Sequence, residues 1–235
     1  MLFETARVVT DVETWCPGRG GRHHLVEIAA VVYDRCGRIA RGFLTDDGLS
    51  GGTAADPPLV YQQLCRPAGL PRRVRLHNAI DPRWLWQPGV PSEQQAVVDF
   101  AEWHFAVARG APLIAYNRGF DRSALRKAMS AAQNWVEFDG DDEPFPWGPC
   151  LMREAARLLG GRRGKMPKEV AARQVLDVPT VLAQAAHEIG HRGPLTMHLG
   201  LPDALLEGAL MVALRQRELT ATSGAGLSSV QSPDP

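Results

Sequence analysis

The chain carries no long hydrophobic run and no charged-then-apolar leader pattern near its start, so no membrane span or secretion signal is read in it, and a reducing cytoplasm is the expected compartment. Cysteine is scarce. The four residues, Cys16, Cys36, Cys65 and Cys150, show neither a CxxC pair nor any spacing of a structural metal site, which argues against a disulfide framework or a zinc fold. There is no excess of either charge: 26 Lys and Arg balance 26 Asp and Glu. A protein that coats nucleic acid electrostatically is expected to be basic, so any such contact here has to be a local patch. No internal repeat is visible, which leaves out solenoid architectures. What remains is ordinary globular material. With 235 residues, 45% hydrophobic and 22% charged, the chain can bury a substantial core, and one domain over 1–217 is expected. Residues 218–235 lack apolar periodicity and read as a disordered tail.

Against this background, four carboxylates and a histidine stand out by context. Asp11 and Glu13 lie in VVTDVET, within the β-branched, apolar run ARVVTDVE that reads as a buried strand. Residues two apart on a strand share a face, so the two acids project together and Val12 faces away. LVEIAAVVYD (25–34) reads as the next strand, with a Gly-rich loop between. APLIAY (111–116) reads as a further strand that runs through NRGFD into the helical pattern SALRKAMSAA (123–132), placing Asp121 at a strand-to-helix junction. In PDALLEGALMVALRQ (202–216), Leu205, Leu206, Ala209, Leu210, Ala213 and Leu214 form a helical stripe. Pro202 suits the first helical position, Asp203 the first turn, and His198 lies just before. Four acids brought to one point repel each other unless cations neutralise them, and hard oxygen ligands suit Mg²⁺ or Mn²⁺. Metal-dependent phosphodiester cleavage is the chemistry such a set performs. Each fragment also has a plainer reading: an acid pair on a strand arises by chance, and an acid near a helix start is favoured by the helix dipole alone.

In order and spacing, these fragments resemble the motifs of the DnaQ-like (DEDDh) 3′–5′ exonucleases. The acid-x-Glu pair matches Asp11 and Glu13, the Asn-x-x-Phe-Asp segment matches Asn117 to Asp121, and His followed after four residues by Asp matches His198 and Asp203. The resemblance spans roughly residues 6–216. It implies an α/β, ribonuclease-H-like fold, a central mixed β-sheet flanked by helices, with the first three strands consecutive and antiparallel. It further implies Mg²⁺ or Mn²⁺, two ions per site, held by Asp11, Glu13, Asp121 and Asp203. His198 is the implied general base, since an imidazole ordinarily titrates near about 6.5. The implied reaction is hydrolysis of single-stranded nucleic acid, DNA before RNA, from its 3′ end to nucleoside 5′-monophosphates. Thr14, Trp15, Asn117 and Phe120 are the candidate substrate contacts, although Trp15 reads equally as packing on the sheet and Phe120 more readily as core packing than as base stacking. The alternatives are a proofreading or end-trimming subunit acting in trans with a polymerase or another nucleic-acid-processing assembly, and a silent binding module that kept only the fold. No membrane partner is expected.

The chain departs from the family pattern in places. Glu13 is followed by Thr14-Trp15-Cys16-Pro17 instead of a Thr-Thr-Gly-like run, a His-Gly-Ile-like turn reads His77-Asn78-Ala79-Ile80, and FPWGPCLM (145–152) precedes a helix where relatives often carry Asp. TDDGLSGGTAADPP (45–58) is a long Gly/Ala/Pro-rich insert. His77 reads as a structural turn residue, and His23, His24, His104, His187 and His191 as surface or half-buried. The acidic run EFDGDDE (137–143) reads as a solvated loop. The basic run GRRGKMPKEVAAR (161–173) reads equally as a solvated linker or as a grip on substrate phosphates.

Overall fold

A computed structural model describes residues 1–18, 21–74, 76–132, 144–191, 195 and 198–225. Five strands form one mixed sheet: β1 (Arg7–Trp15), β2 (His24–Tyr33), β3 (Val60–Leu64), β4 (Leu113–Ala115) and β5 (Trp147–Cys150), in the order β3-β2-β1-β4-β5. The first three are consecutive and antiparallel, and β4 and β5 join in parallel. Among the described residues six α-helices accompany them: α1 (Glu93–Ala106), α2 (Arg118–Ala131), α3 (Leu151–Leu159), α4 (Lys168–Val175), α5 (Val178–Glu188) and α6 (Gly200–Ala225). This is the expected ribonuclease-H-like arrangement.

Strand periodicity divides the core into two layers. Val8, Val12, Ile28, Ala30 and Val32 face one way and pack with Phe100 of α1 and with Ala124 and Leu125 of α2. Val9, Ala29, Val31 and Tyr33 face the other way, against Leu201, Leu205 and Leu210 of α6 and the buried faces of α3 and α4. Nine of the ten residues of β2 are buried, because both faces of that strand are covered, which its unbroken apolar run anticipates. Each fully buried aliphatic side chain contributes about 1.5–3 kcal/mol, and this stabilisation offsets the cost of the carboxylates the fold also buries. Helix α6 comes unusually close to the sheet: a Cβ on Gly208 would collide with the Tyr33 ring. Only glycine admits that approach.

Helix α6 continues to Ala225, so the first part of the stretch read as a disordered tail is helical. Glu218 there pairs with Arg157 at 2.6 Å and with Arg215 at 2.6 Å, which ties the helix to α3 at that point. Residues 226–235 and the acidic run 137–143 lie outside the described residues. His104, expected at the surface or half-buried, is fully buried, with Nε2 on the Ala111 carbonyl at 2.8 Å. Among the described residues, no helix is long and apolar enough to cross a membrane.

Candidate functional site

The strand order reverses between β1 and β4: β1 pairs with β2 on one side and, through Val8 and Val9 only, with the short β4 on the other. Beyond Val9 and Ile114 that ladder ends, and a switch point in strand order is where an open α/β sheet binds ligands, at the carboxyl ends of its strands. The second half of β1 borders that point, carrying Asp11 and Glu13 on the same face as Val9, toward α6. Asp203, in the first turn of α6, arrives from above that face. One oxygen from each of Asp11, Glu13 and Asp203 lies within 4.8 Å of the others.

The neighbouring elements fix each group. Val12, past the end of the β4 ladder, has a backbone N–H with no strand partner, and it donates to Asp121 Oδ1 at 3.2 Å. Asp121 is thereby held at the first turn of α2, only 5% exposed. It stands outside the three-acid cluster. Asp203 Oδ1 accepts the His198 N–H at 3.4 Å, so it tethers the segment that precedes its own helix. His198 itself is exposed, in the left-handed region at φ 64°, a strained position for a non-glycine residue. The Ala79 N–H holds the His198 carbonyl at 2.9 Å. Glu27, buried on β2 directly across from Glu13, accepts the Gly200 N–H at 2.9 Å and the Gln62 amide at 2.7 Å. It anchors the start of α6, and a Cβ on Gly200 would crowd both Glu27 and Ala29.

A cleft of about 210 Å³ opens beside the acids, lined by Glu13, Thr14, Cys16, His77, Phe120 and His198 among others. The β1–β2 register slips between Glu13 and Thr14, and such a bulge re-aims successive side chains, which is how both residues come to border the cleft. Trp15 then packs away from it: its ring lies 5.7 Å from that of His24, and it rests against the buried cluster of Val26, Leu70, Leu76, Ile80 and Leu85. Of the four candidate substrate contacts, Thr14 and Phe120 border the cleft, Trp15 packs, and Asn117 sits exposed at the start of α2. Phe120, read foremost as core, is 36% exposed and meets His23 edge-on at 5.3 Å. His77, read as a structural turn residue, is exposed and also lines the cleft. A larger cavity of about 610 Å³ lies between the loop near Arg38 and Thr53, α5 and α6, but among the described residues no acid cluster converges there, so chemistry and not volume marks the site.

Two residues at the centre went unread in the sequence. Glu207, one helical turn beyond Asp203 and 1% exposed, accepts the Tyr116 N–H at 2.9 Å. Lys168, the first residue of α4, places its Nζ 3.0 Å from Glu207, 3.0 Å from Asp203 and 3.6 Å from Asp11. The basic run 161–173 is thus neither a free linker nor simply a phosphate grip, since one of its lysines points into the acids. Glu207 falls among Leu206, Gly208 and Ala209 on an apolar helix, and a charged residue on such a buried stripe was the available signal.

Electrostatics follow from burial. Desolvation pushes Asp11 well above the usual carboxylate range, and Glu207 adds to this while Lys168 opposes it. Burial also raises Glu13, to about 7, with Asp203 and Glu27 contributing and the Asn78 side chain opposing. Asp121 is raised by burial and by Glu207. Burial pushes Glu207 up and Lys168 pulls it down. For Lys168 itself, burial would lower the ammonium, but Glu207, Asp11 and Asp203 outweigh it and hold the group protonated beyond the ordinary lysine range. Carboxylates that prefer a proton to bare ionisation are groups that a cation stabilises. Three hard oxygens within 4.8 Å fit Mg²⁺ or Mn²⁺ in donor type.

No known protein family matches the sequence, and no curated protein does either. The fold, by contrast, is shared with solved structures. A full-length 3′-exonuclease superposes over 92% of this chain and 84% of its own, at a TM-score of 0.52 and 13% identity. Exonuclease I from Methylocaldum szegediense matches over 94% of this chain at a TM-score of 0.52 and 18% identity. The zinc-bound exonuclease I–single-stranded DNA complex from E. coli matches over 95%, at 0.51 and 13%. The chain spans 43% of the length of either exonuclease I. At these identities the likeness is one of fold, and the resemblance to DnaQ-like exonucleases read from the sequence extends to that fold.

Proposed function

We propose that the chain is a divalent-metal-dependent 3′–5′ exonuclease acting on single-stranded nucleic acid. The observation that carries this reading is the cluster of Asp11, Glu13 and Asp203 within 4.8 Å, at the point where the strand order reverses between β1 and β4, beside a cleft bordered by His198 and Phe120. The fold shared with 3′-exonucleases supports the direction of attack.

In this reading Asp11, Glu13 and Asp203 hold Mg²⁺ or Mn²⁺, and Asp121 supports the edge of the site by fixing the Val12 backbone. The bound ion would supply a more acidic water and charge stabilisation on the phosphoryl oxygens. His198, at the mouth of the cleft, takes the proton of the attacking water. The water oxygen bonds to phosphorus, the bond to the 3′ oxygen breaks, and that oxygen keeps the electron pair and is protonated from solvent. The product is a nucleoside 5′-monophosphate. Phe120 offers an exposed ring on which the terminal base stacks, and Thr14 a hydroxyl beside it. Digestion of matched single-stranded DNA, single-stranded RNA and duplex, each with Mg²⁺ or Mn²⁺, tests the proposal: released 5′-monophosphates from a single strand are expected, and internal cleavage or 3′-monophosphates would contradict it.

A further inference from the structure

The exonuclease reading brings with it two metal ions shared among four carboxylates, yet the described residues make one cage of three acids and set an ammonium against two of them. We propose that Lys168 is the fixed second cation of the site, so that the protein binds one divalent ion instead of two. The inference rests on the metal-dependent reading above and concerns how that site is charged.

Three observations carry it. First, the cage has three members. Asp11, Glu13 and Asp203 converge within 4.8 Å, but Asp121, the acid a second ion would need, is not among them and gives Oδ1 to the Val12 N–H. Second, an ammonium already stands against two of these acids. Lys168 Nζ lies 3.6 and 3.0 Å from Asp11 Oδ1 and Asp203 Oδ2, while Mg²⁺ requires oxygens at about 2.0–2.1 Å, so an ion bridging those two oxygens has to displace the ammonium. Third, Lys168 has a partner of its own. Glu207 is 1% exposed, belongs to none of the acid motifs, and receives Lys168 at 3.0 Å and the Tyr116 N–H at 2.9 Å. Removing the ammonium would leave that carboxylate buried with a single neutral donor, a costly state.

The local structure shows the lysine to be held by its own scaffold. The Tyr116 hydroxyl donates to the Met166 carbonyl at 2.5 Å, two residues before it, and Ala171 and Ala172 bury the inner face of α4. A lysine at the first position of a helix opposes the helix dipole, so the position is unfavourable locally and is stabilised only by the acids it meets. An ammonium is a compact point charge with three donors. Once substrate enters, it can keep Asp203 and Glu207 and turn the third donor to a phosphate oxygen or the leaving 3′ oxygen.

The test counts ions on the full-length, metal-stripped protein by titration with Mn²⁺, read by electron paramagnetic resonance. Wild type is expected to bind one ion and Lys168→Met two. Two ions on wild type would overturn the inference and leave the nuclease reading standing. One ion on both would overturn Lys168 as occupant. No ion on wild type would overturn the metal-dependent reading and this inference together. Should Lys168→Met not fold, reductive methylation of wild type decides, followed by peptide mass spectrometry with Lys165, which is exposed, as internal reference. A resident Lys168 stays slower to react than Lys165 with and without saturating Mn²⁺. A Lys168 that becomes as reactive as Lys165 once Mn²⁺ is added has been displaced, and the inference fails.

Discussion

Replacing Glu13 with glutamine should stabilise the metal-free protein at pH 8 and have little effect at pH 5. Glu13 is held at about 7 chiefly by burial, against an ordinary 4.5. At about 1.36 kcal/mol per pH unit, ionising it in the folded state costs at most about 3 kcal/mol. Below pH 4.5 the carboxyl is protonated whether folded or unfolded, and its contribution to stability is fully present. Between 4.5 and 7 the unfolded chain releases the proton while the folded one keeps it, so stability falls as pH rises, and the loss is complete once the folded group has ionised. Asp11 and Asp121 are pushed the same way and steepen the decline. Lys168 does not offset it, because its raised ammonium loses its contribution only above the ordinary lysine range. For a chain of this size about 3 kcal/mol corresponds to roughly 6–12 °C in Tm. Thermal melts of wild type and Glu13→Gln, stripped of metal at pH 5, 6.5 and 8, measure it. Added Mn²⁺ should raise the wild-type Tm more at pH 8 than at pH 5 and do little for Glu13→Gln. A wild-type Tm that is flat or rises with pH, with the same slope in Glu13→Gln, would refute the account of a desolvated acid cluster awaiting a cation.

Three further outcomes are expected. Phe120→Ala should raise KM for short oligonucleotides, since one base stack contributes roughly 1–3 kcal/mol, whereas Trp15→Ala should leave KM unchanged and cost about 1–3 kcal/mol of stability; steady-state kinetics beside thermal melts separate them. His198→Ala should lower kcat by about 10²–10⁴-fold while Mn²⁺ still binds, and an unchanged kcat with a lowered Tm would make His198 a structural residue. Gly208→Ala should destabilise by about 1–3 kcal/mol, because the added methyl strikes the Tyr33 ring and overpacks the α6–sheet contact, a change that chemical denaturation would report.

What could be read in the sequence follows how far each signal extends along the chain. The alternation in ARVVTDVE placed Asp11 and Glu13 on one face, and β1 puts them there. The stripe from Leu205 to Leu214 became the buried side of α6. Lys168 was not legible as a site residue, because its position depends on how α4 docks near Tyr116 and Glu207, a contact across 39 residues of sequence. Stacking and packing could not be separated for Trp15 because a register slip after Glu13 cannot be seen in a period-two pattern, and the exposure of Phe120 depends on how α2 docks. His77 reached the cleft through the packing of its turn against the segment of His198, a tertiary contact with no local signature.

The central claim is that Asp11, Glu13 and Asp203 hold the ion that makes this chain a 3′ exonuclease. A 5′-labelled single strand incubated with wild type and with Asp203→Asn, each checked for an unchanged fold by circular dichroism, tests it most directly. The account predicts a ladder that shortens stepwise from the 3′ end in Mg²⁺ or Mn²⁺, is silenced by EDTA, and is absent with Asp203→Asn. A ladder that persists in EDTA, or that folded Asp203→Asn produces at the wild-type rate, would contradict it.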